Sequence, residues 1–236
     1  MWLLPTAAAT LALSLVNVVQ NGSPRAVAPR ITSRADVLAL RRKHEFVAAW
    51  RAGRPPRAFA GRRFDGDLVA LGALAPASQL ITHALFAPGR RWRGKLFFGS
   101  GRAGVNRFGG GALRRGFGAR VAPSALDGRP ALVLDYAAPR VGDAVWGRGA
   151  GMRDELREVS RRGARGERSL RALSGTKLRR ARRSPLVPQV APGVIVGLGS
   201  MRATGGARNC APFVLVDAGP APEARGGARG DIARRR

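Results

Sequence analysis

Short runs of apolar residues recur along the chain and predict β-strands. The clearest run covers residues 131–136, and similar runs cover 194–201 and 212–216. Turns rich in glycine and proline separate about seven such runs, a spacing typical of a small antiparallel barrel or sandwich. The pattern therefore predicts a mainly β protein.

The stretch 64–108 organises this pattern. It begins with a short strand, continues with a helical piece over 79–86, and enters a second strand at Trp92. Strict alternation along that second strand predicts that Trp92 and Leu96 lie on one face, and that Lys95 and Phe97 lie on the other. Everything downstream adds further strands to this one.

An amphipathic stripe predicts one helix ahead of the strands. Ser33 and Asp36 supply capping side chains, and the helix runs to about Trp50 before Gly53 ends it. The stripe that would face the core is formed by Val37, Leu40, His44, Val47 and Ala48.

Composition divides the chain into segments of different character. Residues 1–34 are expected to be a presequence or disordered, 35–158 and 190–217 a single β-rich domain, 159–189 a disordered basic insert, and 218–236 a disordered tail. The N-terminal segment is apolar, but several polar residues disfavour a stable transmembrane span. It favours an organelle or the secretory route, with the cytoplasm as the alternative.

The formal net charge of +28 comes almost entirely from arginine. Basic surfaces attract nucleic acids through phosphate contacts. Most of this charge falls in 25–63, 159–189 and 225–236, largely outside the segments predicted to form strands. A nucleic-acid partner is therefore the less favoured alternative, and arginines that shared one face of the folded domain would support it.

Two features argue against a metal or cofactor site. Cys210 is the only cysteine, which excludes an internal disulfide and a cysteine-rich metal site. Residues 99–104 match the G-x-G-x-x-G dinucleotide pattern, but more glycines follow where that pattern requires a helix. We therefore predict no cofactor and no metal, and the sequence leaves the oligomeric state open.

Aromatic residues near the predicted barrel mouth favour a ligand-binding pocket. Their rings would bury the apolar part of a small apolar or amphiphilic molecule, such as a lipid or pigment. An amide, and whichever guanidinium points into the lumen, would orient its polar group. The predicted ligand-binding residues are Trp92, Phe97, Asn106, Phe108, Arg153 and Arg157.

A small-molecule enzyme is the alternative. His83 with Asp135 or Asp154 would supply acid–base chemistry if these side chains converged in one cavity. Their spacing does not specify such a site. We therefore expect a binding protein rather than an enzyme.

Several parts of the chain resemble a known domain family. They are the string Arg-Arg-Phe-Asp-Gly-Asp at 62–67, the tryptophan-centred strand 92–98, and the pair formed by 152–159 and 193–201. Together they resemble the uncharacterised bacterial domain proteins known for a G-x-W-x-G motif, and conserved algal proteins of unknown function. Phe64 stands where the motif has tryptophan. The resemblance implies a lipocalin-like barrel and implies no reaction.

The insert 159–189 has the edges of an intron. Val159 and Ser160 can be encoded by GTG-AGC, which contains a donor splice consensus, and Gln189 by CAG, an acceptor consensus. Its removal keeps the reading frame and joins Glu158 to Val190 in a hairpin across a Pro-Gly turn. We predict that the segment is a retained intron, absent from most transcripts. Sequencing reads that run through it in most messages would contradict this.

Overall fold

A computed structural model describes residues 28–72, 75–139, 141–159 and 193–222. Its strands are β1 (Arg62–Leu68), β2 (Trp92–Phe97), β3 (Ala103–Phe108), β4 (Leu113–Pro123), β5 (Pro130–Asp135), β6 (Met152–Glu158), β7 (Val194–Met201) and β8 (Ala211–Pro220). Each strand pairs antiparallel with the next, and β8 pairs with β1 to close a barrel. The predicted mainly β antiparallel barrel is confirmed, and its up-and-down topology is the one that lipocalins have.

Side chains that alternate along the strands fill the lumen. Phe64, Phe97 and Phe117 pack edge to face, with ring centroids 5.7 Å apart in the first pair and 5.4 Å apart in the second. The same buried cluster also contains Trp92, Phe108, Leu132, Leu134, Tyr136, Leu156, Ile195, Phe213 and Leu215. A close-packed, largely aromatic interior therefore stabilises the barrel from within.

A β-bulge changes the alternation of β2. Trp92 and Gly94 pair with adjacent residues of β3, so β2 holds one extra residue at this point. Trp92 therefore enters the lumen with Lys95 and Phe97, and its predicted assignment to the opposite face is wrong. Gly94 has a φ of 127°, and a Cβ there would lie 2.2 Å from the carbonyl oxygen of Phe64. The bulge thus requires glycine.

The N-terminal region forms two helices, α1 (Arg34–Leu38) and α2 (Lys43–Ala52), where one was predicted. The Ser33 hydroxyl accepts a hydrogen bond from the Asp36 N–H in a capping box, as expected. The Glu45 carboxylate accepts hydrogen bonds from the backbone N–H groups of Arg41 and Arg42. These bonds start a new helix, which explains why the first one ends early.

Helix α2 packs on the outside of the barrel. Its buried residues are Phe46, Ala49 and Trp50, because the break between the helices shifts the apolar stripe from its predicted phase. They form a second apolar cluster with outward-facing residues of β5, β7 and β8, namely Ala131, Val194, Val196, Leu198 and Val214. This outer cluster covers one wall of the barrel.

Arg157 joins β6 to this outer cluster. Its side chain is fully buried, and its guanidinium carbon lies 3.8 Å from the centroid of the Trp50 ring. It donates hydrogen bonds of 2.7 and 2.8 Å to the two carboxylate oxygens of Asp127, and further bonds to the carbonyl groups of Arg129 and Pro130. Partial burial opposes ionisation of Asp127, but Arg157 and the Arg129 N–H hold its pKa below the usual value.

The two ends of the barrel differ. At one end β1 leads into β2 through residues 69–91, and β5 leads into β6 through residues 136–151. The first connection contains α3 (Ala75–Leu80) and a π-helical segment, Ile81–Leu85, and the second contains a π-helical segment, Ala144–Gly149. We call this end the lid end, because Phe86 of the first connection belongs to the apolar cluster of the lumen and Trp146 of the second packs against it.

Most of the three predicted segments 1–34, 159–189 and 218–236 lies outside the described residues, namely the part up to residue 27, the part from residue 160 and the part from residue 223. The parts that the structure describes include Ile31, which is buried in the outer cluster, and the end of β8 at Pro220. The strands that flank the insert, β6 and β7, are antiparallel neighbours. Their pairing extends to a hydrogen bond of 2.9 Å from the Val159 N–H to the Val194 carbonyl. The retained-intron hypothesis itself stays a prediction.

We expect the substitution R157M to lower the free energy of unfolding by about 3–5 kcal/mol, because it leaves the Asp127 carboxylate without its buried partner. Urea denaturation measures the loss. The exposed Arg120, which forms no ion pair among the described residues, provides the control R120Q. Equal stability losses in R157M and R120Q would contradict this account.

The same ion pair predicts an acid dependence. The pKa of Asp127 is lower in the folded protein than its ordinary value of 3.8. Its contribution to stability is therefore present above pH 3.8 and is lost as the pH falls through the folded-state value. R157M lacks the Arg157–Asp127 ion pair. We therefore expect the free energy of unfolding of R157M to fall less than that of the wild type as the pH is lowered below 3.8.

Candidate functional site

A buried lysine lies in the lumen. Lys95 of β2 is 2% exposed, and its Nζ donates to Asn106 Oδ1 at 2.8 Å, to Tyr136 Oη at 2.8 Å and to Asp154 Oδ2 at 2.7 Å. The three acceptors belong to β3, to the residue that follows β5, and to β6. All three N–H donors of the ammonium group are therefore used.

The acceptors are also bonded to one another. The Tyr136 hydroxyl donates to Asp154 Oδ2 at 2.8 Å and accepts from Asn106 Nδ2 at 2.9 Å. Trp92 Nε1 donates to Asn106 Oδ1 at 3.0 Å. We call these residues, Trp92, Lys95, Asn106, Tyr136 and Asp154, the lumen cluster. Such a connected network holds each polar group in a single orientation.

Aromatic rings surround the ammonium group. Lys95 Nζ lies 5.2 Å from the ring centroid of Phe117 and 5.3 Å from that of Phe213. The rings of Trp92 and Tyr136 lie at 5.7 and 5.5 Å. Distances of this size allow the ring faces to stabilise the cation, which lacks water.

Burial changes the protonation equilibria of the lumen cluster. It lowers the pKa of Lys95, and the neighbouring Asp154 carboxylate offsets only part of this effect. It raises the pKa of Tyr136 well above 10.0, and Asp154 raises it further by disfavouring a second negative charge. Tyr136 therefore remains a hydrogen-bond donor at neutral pH, which its bond to Asp154 requires.

A two-part lid covers the lid end. Phe86, which follows the first π-helical segment, and Trp146 of the second have ring centroids 4.6 Å apart. Arg115 of β4 joins the two parts, since its Nε donates to the Phe86 carbonyl at 2.9 Å and its Nη1 to Asp143 Oδ2 at 2.6 Å. We call Arg115, Asp143 and the Phe86 carbonyl the latch.

The backbone of Arg115 is strained. Its φ is 60°, a left-handed value that is rare outside glycine, and it lies at a bulge where the β3–β4 register shifts. Partial burial opposes ionisation of Asp143, but the Trp146 N–H and then Arg115 hold its pKa below the usual value. The strained backbone therefore directs the Arg115 guanidinium at the Asp143 carboxylate, which stays ionised. Backbone strain of this kind often marks functional sites.

His83 connects the lid to the lumen cluster. Its Nδ1 accepts a hydrogen bond of 3.2 Å from the backbone N–H of Trp92. Burial, and then the charge of Arg91, lower the pKa of His83, so the imidazole is neutral and able to accept at pH 7. The first part of the lid thus contacts the strand that carries Lys95.

The structure brings together four of the six predicted ligand-binding residues. Trp92, Phe97, Asn106 and Phe108 are all buried in the lumen. Arg153 and Arg157 face away from it, because they alternate with Asp154 and Leu156, which point inward.

Neither arginine is therefore placed to orient a ligand in the lumen, as the sequence analysis had expected. Arg157 forms the bonds to Asp127 described above, and Arg153 donates to the Pro123 carbonyl at 2.9 Å and pairs with Glu155. Sequence alternation alone does not say which of the two faces of β6 is inside.

The residues of the enzyme alternative do not meet. Asp154 is in the lumen, whereas Asp135 accepts a hydrogen bond from the Ala137 N–H in the turn after β5. His83 bonds to the Trp92 backbone and to neither carboxylate. The arrangement therefore provides no shared acid–base site for these three side chains.

The sequence analysis missed Lys95 and Tyr136 as site residues. A signal was available, because Lys95 is one of only three lysines in an arginine-rich chain and Tyr136 is its single tyrosine. Both alternate with apolar residues that point inward, which places a polar group on the core face of a strand. Only the bulge in β2, however, brings Trp92 to the same side.

A polar cleft lies on the outer wall next to the lid end. It has a volume of about 420 Å³, within the range of small-ligand sites. Its charged lining residues are Arg34, Asp65, Asp67, Arg93 and Arg107. The uncharged ones are Gly66, Phe108, Gly109, Gly110, Gly111 and Leu113. Arg107 pairs with Asp65 and Arg34 with Asp67, so Arg93 is the cation of the cleft without a carboxylate partner among the described residues.

In the described part of the chain, no group of three or more histidine, cysteine, aspartate or glutamate side chains is placed to hold a metal ion. No helix within the described ranges is long and apolar enough to cross a membrane. No protein-family model, curated protein or solved structure matches the chain.

The single tyrosine makes the lumen cluster directly measurable. We expect Tyr136 to show no tyrosinate absorbance in the folded protein at pH 10.0, where the phenol of the denatured chain is half ionised. Because the phenol releases its proton only on unfolding, stability falls as the pH rises above 10.0.

Ultraviolet titration near the tyrosinate band, in buffer and in denaturant, measures both states. The variant D154N removes the negative charge that raises the pKa of Tyr136 in addition to burial. We therefore expect Tyr136 to titrate at a lower pH in D154N than in the wild type. An unshifted tyrosine in the folded wild type would show that the lumen cluster is open to water.

Proposed function

We propose that the protein binds a small apolar or amphiphilic molecule, such as a lipid or pigment, in the lumen beneath the lid. Trp92, Phe97 and Phe108 contact its apolar part, and the amide of Asn106 orients its polar group. A largely apolar interior with a few converging polar groups is the usual composition of a small-molecule site. The eight-stranded up-and-down barrel is a common scaffold for such sites.

One observation carries this proposal: the buried polar groups of the lumen lie under a lid that a strained residue holds closed. Trp92 bonds to Asn106 through its indole and to His83 of the lid through its backbone. Movement of the lid therefore changes the surroundings of the lumen cluster directly.

The ligand enters by displacing the lid, and its apolar part takes the place of Phe86, a lid residue that is buried in the apolar cluster of the lumen when the lid is closed. Opening separates Phe86 from Trp146 and breaks the two hydrogen bonds of Arg115. Hydrogen bonds to charged groups contribute about 1.5–3 kcal/mol each, so the open form is a minor state that the ligand stabilises.

The charges of the lumen cluster select the polar group of the ligand. Lys95 and Asp154 neutralise each other, and the remaining groups are an amide, a phenol and an indole. A carboxylate would add a buried charge with no further cation to pair with it. A neutral hydroxyl or carbonyl group meets no such cost, so we infer a ligand of that class.

We expect 9-anthracenemethanol to bind saturably and 9-anthracenecarboxylate to bind more weakly at neutral pH, as measured by the fluorescence of each probe. The variant N106L removes the orienting amide and keeps the lumen filled. It is expected to lower the affinity for the alcohol about tenfold, which corresponds to one hydrogen bond of about 1.4 kcal/mol.

Two further variants separate the site from the scaffold. R153Q, on the outer wall, is expected to leave the affinity unchanged. R115Q weakens the latch and is expected to raise the association rate of the alcohol, while it keeps the backbone carbonyl at position 115 that accepts a hydrogen bond from Asn106 Nδ2. Absence of saturable binding by wild-type protein, or equal affinities in wild type and N106L, would count against the proposal. Native mass spectrometry of freshly purified protein tests for a ligand that is already bound.

A further inference from the structure

Large apolar side chains are exposed at the lid end. Leu80 is 61% exposed, Leu113 is 53% exposed and Val145 is 67% exposed. Elsewhere in the described residues, the exposed large apolar side chains are Val121 at 57%, Leu38 at 43% and Phe98 at 37%. Exposed apolar groups gathered on one end of a molecule mark an interaction surface.

Each of the three exposed residues belongs to a segment that Arg115 joins. Leu80 precedes the first π-helical segment, Val145 lies in the second, and Leu113 starts the strand that carries Arg115. The latch therefore holds the three apolar side chains on one structural unit, which we call the lid face.

Arginines lie on the same segments as these side chains. The four that are exposed on the same segments are Arg90, Arg91, Arg114 and Arg148. None of them pairs with a carboxylate of a described residue. The connections 69–91 and 109–112 contain no acidic residue, and the acid of the connection 136–151, Asp143, is engaged by Arg115. The lid face is therefore both apolar and positively charged.

The polar cleft adjoins this face. Leu113 forms part of its lining, together with Arg93 and the glycines of the β3–β4 hairpin. An anionic headgroup seated in the cleft would meet the Arg93 guanidinium while its acyl chains stayed next to Leu113. The cleft is thus placed to take the headgroup of a lipid whose acyl chains contact the lid face.

We propose that the lid face docks on an anionic membrane surface, with Leu80, Leu113 and Val145 at the acyl boundary. Such a surface attracts cations close to it, and apolar side chains add to binding by their burial in the interface. Charge alone would also suit a nucleic acid, but the exposed residues of this face are aliphatic and offer no aromatic ring for base stacking.

Docking would place the lid at the membrane. Together with the proposed function, it implies that a membrane-dissolved ligand enters the lumen directly from the bilayer. The docking itself is argued from the exposed residues of the lid face and holds whether or not the lumen takes a ligand.

The test uses the full chain, with a fluorescent NBD label at one of two valines of similar exposure. V145C places the label on the lid face, and V121C places it on β4 near the barrel's other end, both in a background with C210A. With vesicles of phosphatidylcholine and phosphatidylglycerol, we expect a blue shift and quenching by brominated acyl chains for V145C and neither for V121C. Vesicles of phosphatidylcholine alone are expected to give a smaller response.

A charge-matched pair of variants tests the role of arginine. R90Q/R91Q/R114Q/R148Q is expected to weaken vesicle binding at least tenfold, since each substitution removes a cation that the anionic surface attracts. R51Q/R57Q/R102Q/R120Q removes the same charge elsewhere, and we expect it to have a much smaller effect.

Equal quenching at positions 145 and 121, or equal losses in the two quadruple variants, would overturn the proposal. Binding of a single-stranded RNA that depends on the lid arginines, without vesicle binding, would overturn it in favour of a nucleic acid. These measurements contain no lumen ligand, so they are independent of the anthracenemethanol result.

Discussion

The ammonium group of Lys95 is the constraint on which the barrel interior depends. A cation in an aromatic interior loses its water, and the loss is tolerable only if every N–H donor finds an acceptor. Asn106, Tyr136 and Asp154 supply those acceptors from three different parts of the sheet. A register slip of one residue in any of these strands would move its polar side chain to the outside. The lumen cluster and the closure of the barrel therefore specify each other.

Local irregularities place these groups. The bulge at Gly94 brings the Trp92 indole within hydrogen-bond distance of Asn106, and the bulge at Arg115 directs its side chain to the lid. Both occur at the lid end of the barrel, whereas the β4–β5 pairing is regular throughout. Bulges redirect side chains in this way at the cost of unpaired backbone, which regular strands avoid.

The alternation of apolar residues was enough to predict the class of fold, because a half-buried strand leaves a period of two in the sequence. The density of aromatic residues near the predicted barrel mouth, rather than alternation, led to Phe97 and Phe108 as neighbours in the lumen, where the structure has both. Alternation failed where the period breaks: at Trp92 because of the bulge, and at α2 because Glu45 starts a second helix. It also had no means of assigning the two faces of β6, so Arg157 was expected in the lumen although it lies under Trp50.

Stability alone does not explain the lumen cluster. A buried ion pair is often no better than apolar side chains of the same volume, and Arg157 already fixes β6 from outside. A polar group in the lumen could serve to fix the register of the strands. That role, however, does not require the polar group to lie under a lid. Nor does it require the left-handed backbone of Arg115, which is used to hold that lid closed. The buried charges of the lumen cluster and the strained backbone of Arg115 each reduce stability, and both lie toward the lid end of the barrel. Two such losses at one end support the proposed site, whose lid opens and closes.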